Sequence, residues 1–291
     1  MFVATNAVPS VITYFEEKLI DRFTLREIRV MAKAFICERF NWSDSDYLAR
    51  KSTAQCSESD LLFFRSAVKR MQQGEPFQYV LGKTWFYGVE LISDQRALIP
   101  RPETEELVDW VVQDMDDRSC VVMDLGTGSG CIPIAVKVAK PNAHVVGVDV
   151  CSKALSLAIE NTKKEGVDID FVEHDLLSDR PLKNAVNIDV LISNPPYIPI
   201  GERKEMAKHV VDFEPEKALF VPEKSPLLFY EKIIAFSNNY LNPLGKLFLE
   251  IHENLSNDVL ILLRENGFTD VVCRKDMQGK PRMIKAIKSN H

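Results

Sequence analysis

The chain has 291 residues, of which 46% are hydrophobic and 27% charged, and its net charge is −6. That apolar content excludes a disordered chain, and at roughly 100–200 residues per domain the length fits two domains. No run approaches the ~20 apolar residues of a membrane span, the opening MFVATNAVPSVITYF has no basic region before a long apolar one, and the acidic balance argues against a duplex partner, so the sequence predicts a soluble cytoplasmic protein with no membrane and no direct nucleic-acid partner.

Residues 10–73 carry helical stripes. Val11, Ile12, Phe15 and Leu19 form one, Ile28, Met31, Phe35 and Ile36 a second, and Leu61, Leu62, Phe64, Val68 and Met71 a third. Ser10, Thr24 and Ser57 stand before these runs as N-caps. We therefore expect a small helical domain over 1–73. Around Gly74, Pro76, Gly82 and Gly88 the pattern shifts to short β-like pieces rich in aromatics, Phe77, Tyr79, Trp85, Phe86 and Tyr87, which predicts a strand-containing connector over 74–98. A helix should begin near Pro102, where a first turn tolerates the missing N–H and Glu103, Glu105 and Glu106 suit the positive end of the dipole.

From Ser119 apolar strands alternate with amphipathic helices: CVVMDL, a helix over 131–139, HVVGVDV, a helix over 153–165, IDFVEHD and IDVLISN. A helix near 226–240, KLFLEI, a helix over 255–266, TDVVCRK and RMIKAIK follow. This is α/β patterning over 99–291: a parallel sheet covered on both faces. The DMQGKP turn is too short for a crossover, so the last two strands should pair antiparallel, giving a seven-stranded Rossmann-like sheet with an antiparallel last strand. Cys37, Cys56, Cys120, Cys131, Cys151 and Cys273 show no CxxC and no Cys/His cluster, so neither a metal site nor a disulfide framework is expected.

Two motifs carry chemistry. Asp124-Leu-Gly126-Thr127-Gly128-Ser129-Gly130 leaves a buried strand and enters a helix, where glycines let a ligand approach the backbone. Asp149 ends the next strand, placed to accept hydrogen bonds from ribose hydroxyls. Dinucleotide loops read GxGxxG; here the third glycine comes one residue early, and Asp124 can organise the loop or receive an ammonium through water. Such loops resemble those of S-adenosylmethionine-dependent methyltransferases, in which Asp175, after the third strand, stands near the adenine amino group. The second motif is Asn194-Pro195-Pro196-Tyr197, ending strand IDVLIS at the carboxyl edge of the sheet. An amide or exocyclic amino nitrogen is a poor nucleophile, and the Asn194 side-chain oxygen and Pro195 carbonyl can each accept one of its N–H groups while Tyr197 packs on the flat amide. The competing reading is a stiff loop that only terminates a strand.

IPRPETEELV at 99–108, DLGTGSGCI at 124–132, GVDV at 147–150 and ISNPPYIP at 192–199, with GEPFQYVLG, DFEPEKAL and GKPR, resemble the bacterial release factor glutamine methyltransferase family (PrmC, also called HemK) over nearly the whole chain. The resemblance implies transfer of a methyl group from S-adenosylmethionine to the glutamine of the Gly-Gly-Gln loop of class-I release factors, gripped in part by the N-terminal domain. It implies cofactor contacts at Gly126, Thr127, Gly128, Ser129, Gly130, Asp149, Asp175, Leu176 and Asn194. The substrate glutamine is then met by Asn194, Pro195, Pro196 and Tyr197, with Asn194, Pro195 and Tyr197 catalytic. Leu176 stands where the family often has an aromatic residue, so adenine packing there is aliphatic. His252 stands where the family often has glycine and reads as a core-edge or surface histidine with no catalytic role. Arg101 and Glu103 are expected to brace the connector against the glycine loop, with a surface ion pair as the alternative. Two rival functions are a DNA adenine-N6 or RNA guanine-N2 methyltransferase, since exocyclic amino groups pose the same problem, and a non-catalytic cofactor-binding module.

Overall fold

The protein is described here by a computed structural model covering residues 3–178, 180–182 and 187–290. Its chain divides into two compact units: one running up to Gly82 and including Lys208–Phe213, the other comprising Lys83–Ala207 and the chain from Glu214 onward. Among the described residues no helix is long and apolar enough to cross a membrane.

The first unit is helical, with α1 (Val8–Leu19), α2 (Leu25–Phe40), α3 (Asp44–Arg50), α4 (Glu58–Gln72) and α5 (Phe77–Leu81). Phe15 and Leu19 of α1, Ile28, Phe35 and Ile36 of α2, and Phe64, Val68 and Met71 of α4 are fully buried together. Leu62, counted in the third stripe, instead faces solvent. Thr24 and Ser57 cap as expected, each in a capping box with Glu27 or Asp60, and Ser43 forms a third with Asp46. Ser10 does not cap: Pro9 fits the first turn, so α1 starts earlier, at Val8 after Ala7. The aromatic stretch after Pro76 is helix rather than strand, because Phe77, Val80 and Leu81 turn together onto this core before Gly82, at φ 80°, ends the turn.

In the second unit, β1 (Lys83–Phe86) and β2 (Val89–Ile92) form a hairpin around Tyr87 and Gly88, both at positive φ, as a two-residue primed turn requires. Then come α6 (Pro102–Asp114), β3 (Val121–Leu125), α7 (Cys131–Ala139), β4 (His144–Asp149), α8 (Ser152–Glu165), β5 (Asp170–Glu173) and β6 (Ile188–Ser193). The two-residue strand β7 (Ile198–Pro199) pairs in parallel with β8 (Phe220–Val221), and α9 (Lys208–Phe213), between them in sequence, belongs to the first unit. The chain finishes with α10 (Leu228–Tyr240), β9 (Leu241–Glu250), α11 (Ser256–Glu265), β10 (Phe268–Lys275) and β11 (Pro281–Lys288).

The seven-stranded sheet runs β10-β11-β9-β6-β3-β4-β5. Strands β5, β4, β3, β6 and β9 pair in parallel, and β11 lies antiparallel between β9 and β10. Alternation along the strands sends Val122, Val145, Val190 and Phe248 to one face, against α6 and α7, and Met123, Val146, Leu191 and Leu247 to the other, against α10 and α11. After β3 the chain winds toward β5 and then returns to place β6 on the other side of β3. That reversal makes the carboxyl ends of β3 and β6 the switch point of the sheet, where open α/β folds leave a crevice.

Gly130, at φ 80°, is where the glycine loop enters α7, and a Cβ there would lie 3.0 Å from the Ala158 Cβ and 3.2 Å from its Cα. Gly130→Ala therefore combines left-handed strain with overpacking against the α8 backbone. Chemical denaturation should show a loss of about 2–4 kcal/mol, and an unchanged midpoint and slope would refute this account of the turn.

Candidate active site

The glycine loop folds as it does because Gly126, Gly128 and Gly130 all take positive φ, 79°, 54° and 80°. The resulting peptide orientations aim the amides of Gly126 and Thr127 at the Val148 carbonyl, at 2.8 and 2.9 Å, and the Gly128 amide at Asp149 Oδ2, at 2.8 Å. Gly126 is exposed and Gly128 half-buried, while Thr127, Ser129 and Gly130 turn inward. Asp149, expected only as an acceptor for a ligand, also braces the loop; its other oxygen accepts from Cys151 N at 2.9 Å. Burial raises its pKa, and each carboxylate oxygen retains a further lone pair for a hydroxyl donor. Gly147 closes the floor, since a Cβ there would meet the Phe171 ring at 2.7 Å and Thr127 Oγ1 at 2.9 Å.

Asp124 is fully buried beneath this loop. The Thr127 hydroxyl beside it favours its charged form, but neither Asp124 oxygen is held in a well-formed hydrogen bond among the described residues, and neither are the hydroxyls of Thr127 and Ser129. The loop backbone is held by Val148 and Asp149. Burial pushes Asp124 up to about 7 and the neighbouring Cys131 thiol up to about 12. Asp175 is exposed and caps its own turn, accepting from Leu177 N at 2.9 Å. Leu176 is half-buried against the core face that α10 covers.

The Asn194–Tyr197 turn follows β6. Ser193 donates to the Leu125 carbonyl at 2.6 Å, tying the two central strand ends together, and a Cβ on Gly126 would come within 3.9 Å of the Asn194 carbonyl. The glycine loop and the turn are therefore neighbours. Asn194 donates through Nδ2 to Thr104 Oγ1 at 3.0 Å, Thr104 donates to Glu250 Oε2 at 2.6 Å, and Tyr197 donates to Glu250 Oε1 at 2.9 Å. Among the described residues, Asn194 Oδ1 and the Pro195 carbonyl accept no hydrogen bond from the protein. Burial raises the Glu250 pKa, and burial followed by the Glu250 charge raises that of Tyr197.

Thr104 and Glu250 escaped the sequence reading. Their one signal was a carboxylate closing the otherwise apolar strand segment KLFLE, at the same edge as the turn. His252 is buried, as expected of a core-edge histidine, but it does lie beside the motif in space: its ring sits edge-on to Tyr197, centroids 6.0 Å apart, with Nε2 at 3.2 Å from Glu202 and Nδ1 accepting from Asn254 N. Arg101 does not join Glu103 against the loop. Its partner at 2.6 Å is the fully buried side chain of Glu214, whose other oxygen accepts from Ile99 N, so the arginine ties the start of α6 to the DFEPEKAL segment.

A buried acid that titrates near neutrality makes stability depend on pH. Because Asp124 holds its proton more tightly folded than unfolded, where carboxyls titrate near 4, stability falls as pH rises from about 4 through 7, by up to about 4 kcal/mol. Asp124→Asn should remove that slope. Urea unfolding at pH 5 and pH 8 should show the variant gaining on the parent at the higher pH; an equal difference at both would show that Asp124 does not carry it.

Comparison with known proteins bears on the whole chain. Residues 104–213 match the model of the methyltransferase small domain and residues 17–82 that of the PrmC N-terminal domain. A Flavobacterium psychrophilum protein named release factor glutamine methyltransferase is 35% identical, covering 97% of this chain and 96% of its own length. A Bacteroides thetaiotaomicron protein of the same name is 34% identical over 94% and 97%. The T. thermophilus 16S rRNA N2 G1207 methyltransferase, 18% identical, aligns with a TM-score of 0.50 over 71% of this chain and 49% of its own, a likeness of fold. Identity at this level from one end to the other, across both matched regions, means that the chain belongs to the release factor glutamine methyltransferase family.

Proposed function

We propose that this chain methylates the side-chain amide nitrogen of the glutamine in the Gly-Gly-Gln motif of peptide chain release factors, using S-adenosylmethionine. The observation that carries the reading is the Asn194–Pro195 pair of unengaged acceptors, held rigidly at the sheet's switch point beside the glycine loop. The family's shared name supports the substrate.

The residues beneath and around the loop fit the cofactor. Exposed glycine backbone at 126 and the half-buried one at 128 admit close approach, the loosely held polar atoms of Asp124, Thr127 and Ser129 suit a ligand bearing an ammonium, and Asp149 can accept ribose hydroxyls. In this reading Gly126 to Gly130 and Asp149 hold the cofactor, with Asp175 and Leu176 on the adenine side, and the bound cofactor supplies an electrophilic methyl group. Asn194 Oδ1 and the Pro195 carbonyl each accept one N–H of the glutamine amide, orienting its nitrogen and stabilising the positive charge that grows on it during transfer. Pro196 stiffens the turn, and the Tyr197 ring packs on the amide plane. The helical first unit is proposed to grip the release factor.

Labelled methyl should pass from S-adenosylmethionine to purified release factor and not to its Gly-Gly-Gln glutamine mutant; equal labelling of both would overturn the substrate assignment. Asn194→Ala should leave cofactor binding largely intact and slow single-turnover transfer by ~10²-fold or more. Turnover near that of the parent would reduce the turn to a stiff loop. Asp149→Ala, which removes both an acceptor and the brace of Gly128, should weaken cofactor binding in calorimetry at least ~10-fold, on the scale of a lost charge-assisted hydrogen bond; unchanged affinity would refute its role.

A further inference from the structure

An asparagine side chain has nearly the same shape with its amide flipped, so shape alone cannot decide whether oxygen or nitrogen faces the substrate. The proposed reaction needs the oxygen. A flipped Asn194 would set its own NH2 against the NH2 of the incoming glutamine, donor against donor.

We infer that Glu250, acting through Thr104, fixes the orientation of the Asn194 amide so that Oδ1 is presented to the substrate nitrogen. This inference rests on the reading of Asn194 as an acceptor. An ionised carboxylate only accepts hydrogen bonds. Glu250 therefore takes the Thr104 hydroxyl proton, in a short 2.6 Å bond. With its only proton committed, Thr104 can offer Asn194 nothing but lone pairs, and Asn194 must meet it with Nδ2, at 3.0 Å. The flipped amide would oppose lone pair to lone pair in a buried place.

The second oxygen of Glu250 takes the Tyr197 hydroxyl at 2.9 Å, so both ends of the turn hang from one carboxylate. Burial raises the pKa of Glu250, as does the Glu103 carboxylate on α6, while the Thr104 and Tyr197 hydroxyls and the Arg282 guanidinium on β11 act the other way and favour the charged form that the relay uses. Thr104 and Glu250 touch neither substrate nor cofactor in this scheme and are positioning residues.

The test is Thr104→Val, nearly isosteric but unable to relay the polarity, with Thr104→Ser as the variant that can. Thr104→Val should lower kcat for release factor about tenfold or more, the scale of an unsatisfied buried polar contact, while KM and cofactor Kd stay within about twofold. Thr104→Ser should restore kcat, and Thr104→Val should add no loss on top of Asn194→Ala. A parental kcat in Thr104→Val beside an impaired Asn194→Ala overturns the relay alone. A parental kcat in Asn194→Ala overturns the acceptor reading beneath it. Neutron diffraction from the unaltered protein gives an answer that does not depend on the variants folding. It should find both amide deuterons on the Asn194 atom 3.0 Å from Thr104 Oγ1, and an oxygen at that position overturns the relay.

Discussion

Two carboxylates taken out of water at the ends of apolar strands set the terms for the rest of the site. Glu250 closes β9 and Asp124 lies near the end of β3, both wholly buried, next to Leu247, Phe248 and Leu249 on one strand and Val122, Met123 and Leu125 on the other, which pack on the two faces of the sheet. A charge in such surroundings is costly unless donors surround it. Glu250 has them, one hydroxyl on each oxygen, and the result is a cross-linked turn. Asp124 has only the nearby Thr127 hydroxyl, and burial raises its pKa to about 7, as burial also raises that of Glu250. One acid spends its lone pairs on building the protein; the other keeps them for whatever binds above it.

The topology brings these elements together. Because β6 returns to the side of β3 away from β4, the first and fourth crossover strands end next to one another, and the Ser193 bond to Leu125 holds the two ends in register. The loop after β3 leans the other way, its amides bound to Val148 and Asp149 at the end of β4. Loop and turn are each fixed by a neighbouring strand rather than by each other. Two ligands can then sit between them without either having to order the backbone, which is what positional catalysis of an in-line transfer demands.

Much of this was legible in the chain itself. The apolar runs IDVLIS and HVVGVDV alternating with amphipathic helices, the glycines at 126, 128 and 130, and the short DMQGKP turn each gave a local signal of the sheet and its antiparallel last strand. The misreadings were also local: aromatics after Pro76 imitate a strand, and Ser10 imitates a cap, until burial of Phe77 and Val80 and the reach of Pro9 decide otherwise. What stayed hidden was long-range. Thr104 and Glu250 are 146 positions apart, and nothing in either neighbourhood says that they share a proton. The same holds for Arg101 with Glu214 and for His252 against Tyr197.

The identity of the groups around Asn194 also orders the events of transfer. Tyr197 keeps its proton, because burial and the Glu250 charge both oppose a phenolate, so it remains a donor to Glu250 and offers no basic site. Glu250 accepts from two side chains and has no surface exposed to a substrate. The His252 ring is engaged at both nitrogens, by Glu202 and by Asn254 N, and turns only an edge-on contact toward Tyr197. None of these groups is free to take a proton from the amide before the methyl group arrives. What the turn offers in their place is a pair of neutral oxygens, which favour the nitrogen more strongly as it becomes positive, so in the proposed reaction bond formation to the methyl carbon runs ahead of proton loss, and the surplus proton leaves afterwards to water.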